Sequence, residues 1–455
     1  MFKRTLLGAA LAVPLNCVAV TDAELQVIRD QIKELKESYE QRIAQLEQRL
    51  QQAEAQSLQV STIAAEAHTD MPPASAPATA PAANAFNPAI SLILSGTLGR
   101  LQRDPAIPAT GFAMAANNPN YTRGFSLKES ELGISANIDP YFRGVATIAL
   151  APAGGVSVEN AYIQTIALGS GFNLKAGRFF SGLGYLNEQH AHAWDFVDQP
   201  LVYRVLWDNQ LGEDGVQLKW LAPTDTFIEV GGEIGSGRGF PGSDRQKNGI
   251  GAGTLFAHVG GDIGTDHSWR AGVSLHQTRR INAVSTNVPD VPGTPGGVTD
   301  SFSGDSRTAG LDFVWKYAPN GNVREKNFKL QGEYFRRHEN GLLTYNLATT
   351  DGYAVTQSGW YLQGIYQFVP RWRIGLRYDQ LNPGVAAVGA LNAANVIGNY
   401  GYLPKRSSAM LDYSPSEFSR LRLQFALDRS RQGLPDNQIF LQYIMSLGAH
   451  GAHQF

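Results

Sequence analysis

Between positions 188 and 195 the chain reads Glu-x-His-x-His-x-x-Asp, with Glu188, His190, His192 and Asp195 as its chemistry-bearing residues. Neutral imidazole is the commonest zinc ligand and carboxylates can complete a tetrahedral set, so these four residues form a candidate metal site. In an extended segment His190 and His192 point the same way, which suits a shared ion. Such a cysteine-free site would bind exchangeably, as capture and transit require, although loop His-x-His pairs also occur as plain polar surface. A second pair, His450 and His453, is expected at the other end of the molecule. The stretch from about 181 to 212 is acidic: Glu188, Asp195, Asp198 and Asp208 stand against Arg204, with no Lys. Five arginines, Arg371, Arg373, Arg377, Arg420 and Arg422, are expected on one face of two strands. An acidic loop lying across from that ladder would set a transverse field favouring small polar or zwitterionic solutes. The plainer alternative is that the arginines pair with Asp379, Asp428 and Glu333 and satisfy a crowded wall.

The elements that must position these groups alternate with period two from Ile90 onward. Trp372, Ile374, Leu376 and Tyr378 interleave with Arg371, Arg373, Gly375, Arg377 and Asp379. Leu421, Leu423, Phe425 and Leu427 interleave with Arg420, Arg422, Gln424, Ala426 and Asp428, and Trp269, Ala271, Val273 and Leu275 with Arg270, Gly272, Ser274 and His276. In strands the two sets face opposite ways. Turn signals fall at Asp139-Pro140, Gly169-Ser170-Gly171, Pro223-Thr224-Asp225, Gly264-Thr265-Asp266, Pro319-Asn320-Gly321, Val369-Pro370 and Ser414-Pro415-Ser416. Longer connections centre near 112, 154, 195, 243, 292, 346, 394 and 433. Seven turns and eight loops join sixteen strands, and an even count returns both ends to one side. The last segment, Ile439, Leu441, Tyr443, Met445, Leu447 and Ala449, alternates towards a terminal Phe455, like the closing strand of bacterial outer-membrane barrels.

Composition agrees. Of 455 residues, 17% are charged, below the roughly 25% of soluble domains, and 48 are Gly. Beyond the first twenty residues no apolar run approaches the roughly 20 residues of a membrane helix. A net charge of -2 argues against a nucleic-acid partner, and the single cysteine against a disulfide scaffold.

The N-terminus reads as an address. Lys3 and Arg4 precede the apolar stretch from Leu6 to Val13, with a small-residue cleavage site after Ala19, so residues 1–19 are expected to be a signal peptide. A lipoprotein reading through Cys17 is disfavoured by Asn16. Within 20–56, Leu25, Ile28, Ile32, Leu35, Tyr39, Ile43, Leu46, Leu50 and Ala53 repeat as a heptad seam, the signature of an α-helical coiled coil compatible with a trimer. The alternative is an amphipathic helix packed on its own barrel. Residues 57–89 form a Pro/Ala-rich linker, and 90–455 the barrel.

Ala176-Gly177-Arg178-Phe179-Phe180, Trp194-Asp195-Phe196-Val197-Asp198-Gln199-Pro200 and Gly212-Glu213-Asp214-Gly215-Val216-Gln217-Leu218 together resemble the phosphate-selective porin O/P-like group. The resemblance covers roughly residues 90 to 455 and implies a trimeric sixteen-stranded channel whose third loop, here about 181–212, folds inward and narrows the pore. It also touches barrels described as zinc-regulated outer-membrane receptors. The departure is that the third loop lacks the cationic lining a phosphate filter needs.

The sequence thus predicts an all-β transmembrane barrel of 16 antiparallel strands preceded by an N-terminal α-helical coiled coil. The expected function is passive diffusion of small hydrophilic solutes or ions across the bacterial outer membrane, with the loop acids, Arg204 and the five arginines at the constriction. Divalent-metal uptake through the loop histidines is the alternative. The expected partners are outer-membrane lipid, two further copies of the chain and small solutes, with no cofactor. A TonB-type transporter would need 22 strands and a plug. No spacing singles out a catalytic set, so no enzyme is expected; a structural tether would require a plugged lumen.

Overall fold

The computed structural model describes residues 88–448 apart from 106, 114–121, 128–129, 151–154, 167, 244–247, 288–297 and 396–400. The expected signal peptide, the coiled coil, almost all of the linker, His450, His453 and Phe455 lie outside the described residues.

The strands are β1 (Ala89–Leu101), β2 (Gly124–Leu127), β3 (Ser130–Asn137), β4 (Phe142–Leu150), β5 (Val156–Thr165), β6 (Phe172–Phe180), β7 (Gly212–Leu221), β8 (Phe227–Gly235) and β9 (Ala252–Ile263). They continue as β10 (His267–Asn287), β11 (Val298–Tyr317), β12 (Asn327–Tyr345), β13 (Thr349–Val369), β14 (Trp372–Asn382), β15 (Ala387–Val388), β16 (Lys405–Ser416), β17 (Ser419–Arg429) and β18 (Asp436–Gly448). β2 and β3 both pair with β1 and act as one strand, and β15 is a two-residue addition to β13. What remains is a closed barrel of sixteen antiparallel strands, each hydrogen-bonded to its neighbours in the chain. Closure runs through β1: Leu92 stands opposite Leu447 of β18 on one side and Leu132 of β3 on the other. Among the described residues no helix is long and apolar enough to cross a membrane.

The pleat sorts the side chains. Ile374 and Leu376 of β14, Leu423 and Phe425 of β17, and Ile439 and Leu441 of β18 are exposed on the outer surface. Their neighbours Arg377, Asp379, Arg422, Gln424, Gln438 and Gln442 are buried inside. An apolar exterior around a polar interior inverts the arrangement of a water-soluble protein. Aromatic side chains crowd the short-turn end: Trp372 stacks on Tyr413 at 4.6 Å between centroids, and His267 on Tyr317 at 4.9 Å.

Two connections depart from expectation. β12 and β13 run 19 and 21 residues and meet in a tight reversal at Asn346-Leu347, both with positive φ, so the long loop foreseen near 346 is absent. β10 and β11 are comparably long, at 21 and 20 residues. The residues read as loop continue the ladder instead, with Gly341 opposite Tyr353 and Thr344 opposite Thr350. The turn foreseen at Ser414-Pro415-Ser416 lies slightly later, at Glu417-Phe418, because Ser416 still pairs with Ser419.

Candidate functional site: the inward segment and its wall

The connection between β6 and β7 does not project outward. It enters the barrel, turns through a 3-10 helix (Ala191–Ala193), and forms the short helix α1 (Leu201–Trp207), all seven residues of which are buried. Apolar side chains explain the path: Leu183, Leu186, Trp194, Leu201, Val202, Tyr203, Leu206, Trp207 and Leu211 pack with Phe335, Tyr361 and Leu381 of the wall and with Ala109 and Phe112 from the β1–β2 connection. A loop with this many large apolar groups gains on the order of 2 kcal/mol for each one buried.

Polar moorings fix the register. Asn187 closes the base, accepting from Leu211 N at 2.8 Å and donating to Ser181 O at 2.7 Å. Glu233 of β8 accepts from Ser181 Oγ at 2.6 Å and Gly182 N at 2.8 Å. Glu333 of β12 accepts from Tyr185 N, Leu186 N and the hydroxyls of Tyr203 and Tyr361, at 3.0, 3.1, 2.7 and 2.6 Å. Gly184 makes this approach possible: its φ is +68°, and a Cβ there would stand 2.2 Å from Glu333 Oε2. Asp379 of β14 accepts from Leu201 N at 2.9 Å, and Gln424 of β17 from Val197 N at 2.7 Å.

Two of the segment's four acids, Asp195 and Asp198, meet the arginine wall directly. Asp198 Oδ1 accepts from Arg377 Nη2 at 3.0 Å and Gln424 Nε2 at 2.9 Å, while Oδ2 pairs with Arg406 of β16. Asp195 pairs with Lys329 of β12 and, at 3.2 Å, with Arg373. Arg422 bonds Trp194 O at 2.8 Å and Asp412 of β16 at 2.8 Å, Arg373 reaches the same Asp412, and Arg420 donates to Trp194 O at 3.3 Å. Arg377 also pairs with Asp379 at 3.0 Å, the wall pairing weighed as the plainer alternative. Burial alone would push the Asp195 carboxyl up; the Lys329 and Arg373 cations outweigh it and hold it well below the usual range.

Three expected constriction residues lie elsewhere. Arg371 sits in the turn between β13 and β14 with φ +73°, exposed, because the alternation ends at Trp372. Asp208 is the left-handed C-cap of α1. Arg204, on α1, lines a small cavity with Asp428, Ser430 and Arg431.

The expected metal set also separates. Glu188 lies 3.2 Å from Lys219 of β7 and 3.8 Å from Lys175 of β6; burial opposes its charge, but those two ammonium groups hold its carboxyl at about 2. With Asp195 committed to Lys329 and Arg373, neither acid joins the histidines. His190 and His192 stack instead, 5.8 Å apart, and face Glu131 of β3 and Glu159 of β5.

Solvent reaches the interior unevenly. Arg377, Asp379, Asp198, Arg406, Asp412 and Arg422 are at most 1% exposed at the side chain. On the flank of β3–β8, Lys175, Lys219, His190 and Glu188 are 12%, 18%, 23% and 36% exposed. Lys329 and Arg373, near the short-turn end, are 19% and 23% exposed. Sequence reasoning did not single out Lys175, Lys219, Lys329, Glu131 or Glu159. Each is a charged residue on the polar face of a strand, so the period-two signal that found the arginines could have found them.

No family model matches the sequence. An uncharacterized protein of Aquifex aeolicus (strain VF5) is 33% identical over 404 residues, covering 82% of this chain and 80% of that protein. Among solved structures, the chain is similar to a loop-deletion mutant of OmpT, an outer membrane protein of Vibrio cholerae, at 13% identity and TM-score 0.49, over 79% of this chain and 99% of that one. An anion-selective porin from Comamonas acidovorans is similar over the same shares at 11% identity and TM-score 0.49. OprB of Pseudomonas putida is 14% identical at TM-score 0.44, over 79% and 94%.

Proposed function

The chain belongs to one family with the Aquifex aeolicus protein, and we propose that it is an outer-membrane channel for passive diffusion of small hydrophilic solutes, with no catalytic step. The observation that carries this reading is the closed barrel with an apolar exterior and an ionisable interior divided by the inward segment. The outer apolar face of β11, from Tyr317 to Ala309, gives way to Arg307 and Asp305. At about 3.3 Å per residue that band runs about 26 Å along the strand, or about 20 Å of height at a tilt of about 40°, the scale of an apolar belt about 25 Å tall. Charges beyond it therefore stand clear of hydrocarbon, where each would cost about 2–4 kcal/mol at the midplane.

The solute path follows the flank of β3–β8, because the arginine flank is filled by the segment's apolar core and its ion pairs. Lys175 and Lys219 face that path with Glu188 between them, and Lys329, Arg373 and Arg420 line the interior towards the short-turn end. On that flank the two lysines stand among Glu131, Glu159, Glu188, Glu229 and Glu233, a mixed lining that favours small polar or zwitterionic solutes. Trimeric assembly, with residues 20–56 as a periplasmic coiled coil after removal of 1–19, completes the reading. Conductance in planar bilayers tests it: stable conductance steps support the channel, and an electrically silent, correctly folded barrel overturns it. The alternative of divalent-metal uptake draws on the same histidines, and their wall partners suggest a different use for them.

A further inference from the structure

We propose that Glu131, Glu159 and His190 bind one divalent transition-metal ion, of the zinc class, and that this ion staples the inward segment to β3 and β5. The inference rests on the segment's place inside the barrel and not on what passes through it.

One ligand atom from each of the three residues lies within 4.8 Å of the others. His190 Nδ1 is 2.8 Å from Glu159 Oε2 and 3.3 Å from Glu131 Oε2. A tetrahedral ion with bonds of about 2.0–2.2 Å needs ligand separations of about 3.4 Å. His190 Nδ1 reaches that spacing by moving about 0.6 Å from Glu159 Oε2 and about 0.1 Å from Glu131 Oε2, and the two carboxylates already lie within 4.8 Å of one another. Two carboxylates converge on one ring nitrogen, yet a single Nδ1 proton can serve only one of them well. A dication in place of that proton serves both.

Burial and charge point the same way. The Glu131 and Glu159 side chains are 3% and 8% exposed, so both carboxylates lie where the low local dielectric strengthens their hold on a cation. One dication matches the charge of two carboxylates.

The surroundings orient the ligands. His192 Nδ1 is 3.0 Å from Glu131 Oε1, the oxygen turned away from the proposed ion, so His192 is a positioning residue and not a ligand. The Asn160 amide lies 2.9 Å from His190 Nε2. With its oxygen turned towards the ring, it would accept the Nε2 proton and leave Nδ1 free to ligate, the outer-shell partner that metal-bound histidines carry. His190 is 23% exposed, which leaves a fourth position open to water and makes the ion exchangeable. Calcium, which takes 6–8 oxygen ligands, is poorly served by this set.

The consequence is mechanical. The segment's ion pairs through Asp195 and Asp198 hold it to β12–β16, and the proposed ion holds it to β3 and β5 on the other side of the barrel.

The test is calorimetric titration of ZnCl2 into the full chain, folded in detergent, stripped with chelator and free of any histidine tag. One ion per chain with micromolar affinity is expected. His190→Ala and Glu159→Gln should each weaken it at least tenfold, and His192→Ala by a smaller factor. His450→Ala with His453→Ala should leave it unchanged. Heat-dependent gel migration verifies that each variant barrel is folded. Binding that survives His190→Ala and Glu159→Gln, or that disappears with His450 and His453, overturns the proposal. Conductance measured without zinc reports on the channel reading separately, so either can fail alone.

Discussion

Replacing Asp198 with Asn should free the inward segment while leaving the barrel closed. The carboxylate is 1% exposed and lies between Arg377 and Arg406, with Gln424 donating to the same oxygen as Arg377. Removing one member of a buried ion pair typically costs 3–5 kcal/mol because the remaining charge is left uncompensated. Here the amide oxygen can still accept one bond and Arg377 keeps Asp379, so the lower end applies, about 3 kcal/mol. At about 1.4 kcal/mol per tenfold, release of the segment becomes roughly a hundredfold more frequent. Chymotrypsin digestion in detergent reads this, since Tyr203, Leu206 and Trp207 are buried while the segment is moored. Cleavage within 181–211 should accelerate about a hundredfold if opening and closing outpace cleavage. The barrel's heat-dependent migration should not change, because the strand ladder does not depend on Asp198. Cleavage of Asp198→Asn within twofold of the unaltered protein would refute the assignment of Asp198 as a mooring.

Lys175→Gln combined with Lys219→Gln should move the reversal potential towards cation preference, whereas Arg371→Gln, in its exposed turn, should leave it unmoved. Gly184→Ala places a methyl group against Glu333 at positive φ, a strain of about 1–3 kcal/mol; digestion of the segment should rise about tenfold or more with the barrel intact. Lys329 and Arg373 hold the Asp195 carboxyl well below the usual range. A depressed carboxyl stabilises above its unfolded value of about 3.9 and ceases to do so only as pH falls through the folded value. The Asp195 contribution is therefore expected to stay level from pH 7 to pH 4: Asp195→Asn should raise digestion relative to the unaltered protein by the same factor across that range, and a factor that shrinks towards pH 4 would contradict it.

The sequence made the barrel legible because alternation is a one-dimensional signal. Trp372, Ile374 and Leu376, like Leu421, Leu423 and Phe425, announce their outward face without knowledge of any neighbour. Strand ends were less visible: β12 and β13 run through Gly341 and Gly352 into a three-residue reversal, where polar and small residues looked like loop. The acid–arginine pairing was anticipated in kind, and in partner for Arg377 with Asp379. Sequence spacing suggested the field between the two charge sets, while Arg406, Asp412 and Lys329, which complete the pairs, lie on other strands whose register only the ladder sets: Asp412 stands directly opposite both Arg373 and Arg422. The metal set shows the same limit. His190 and His192 were found from their spacing, but their acids come from β3 and β5, about 30 to 60 positions earlier, and Glu188 and Asp195, adjacent in sequence, turn to lysine and arginine.

Because Cys17 is the chain's only cysteine and precedes the expected cleavage point, single-cysteine variants report each position without background. Lys175→Cys and Leu423→Cys, reconstituted in bilayers and exposed to a charged, membrane-impermeant thiol reagent, test the placement of water and lipid most directly. Modification of Lys175→Cys with a stepwise fall in conductance, and protection of Leu423→Cys, are the expected results. Rapid aqueous modification of Leu423→Cys together with an inert Lys175→Cys would contradict an interior water path inside an apolar shell.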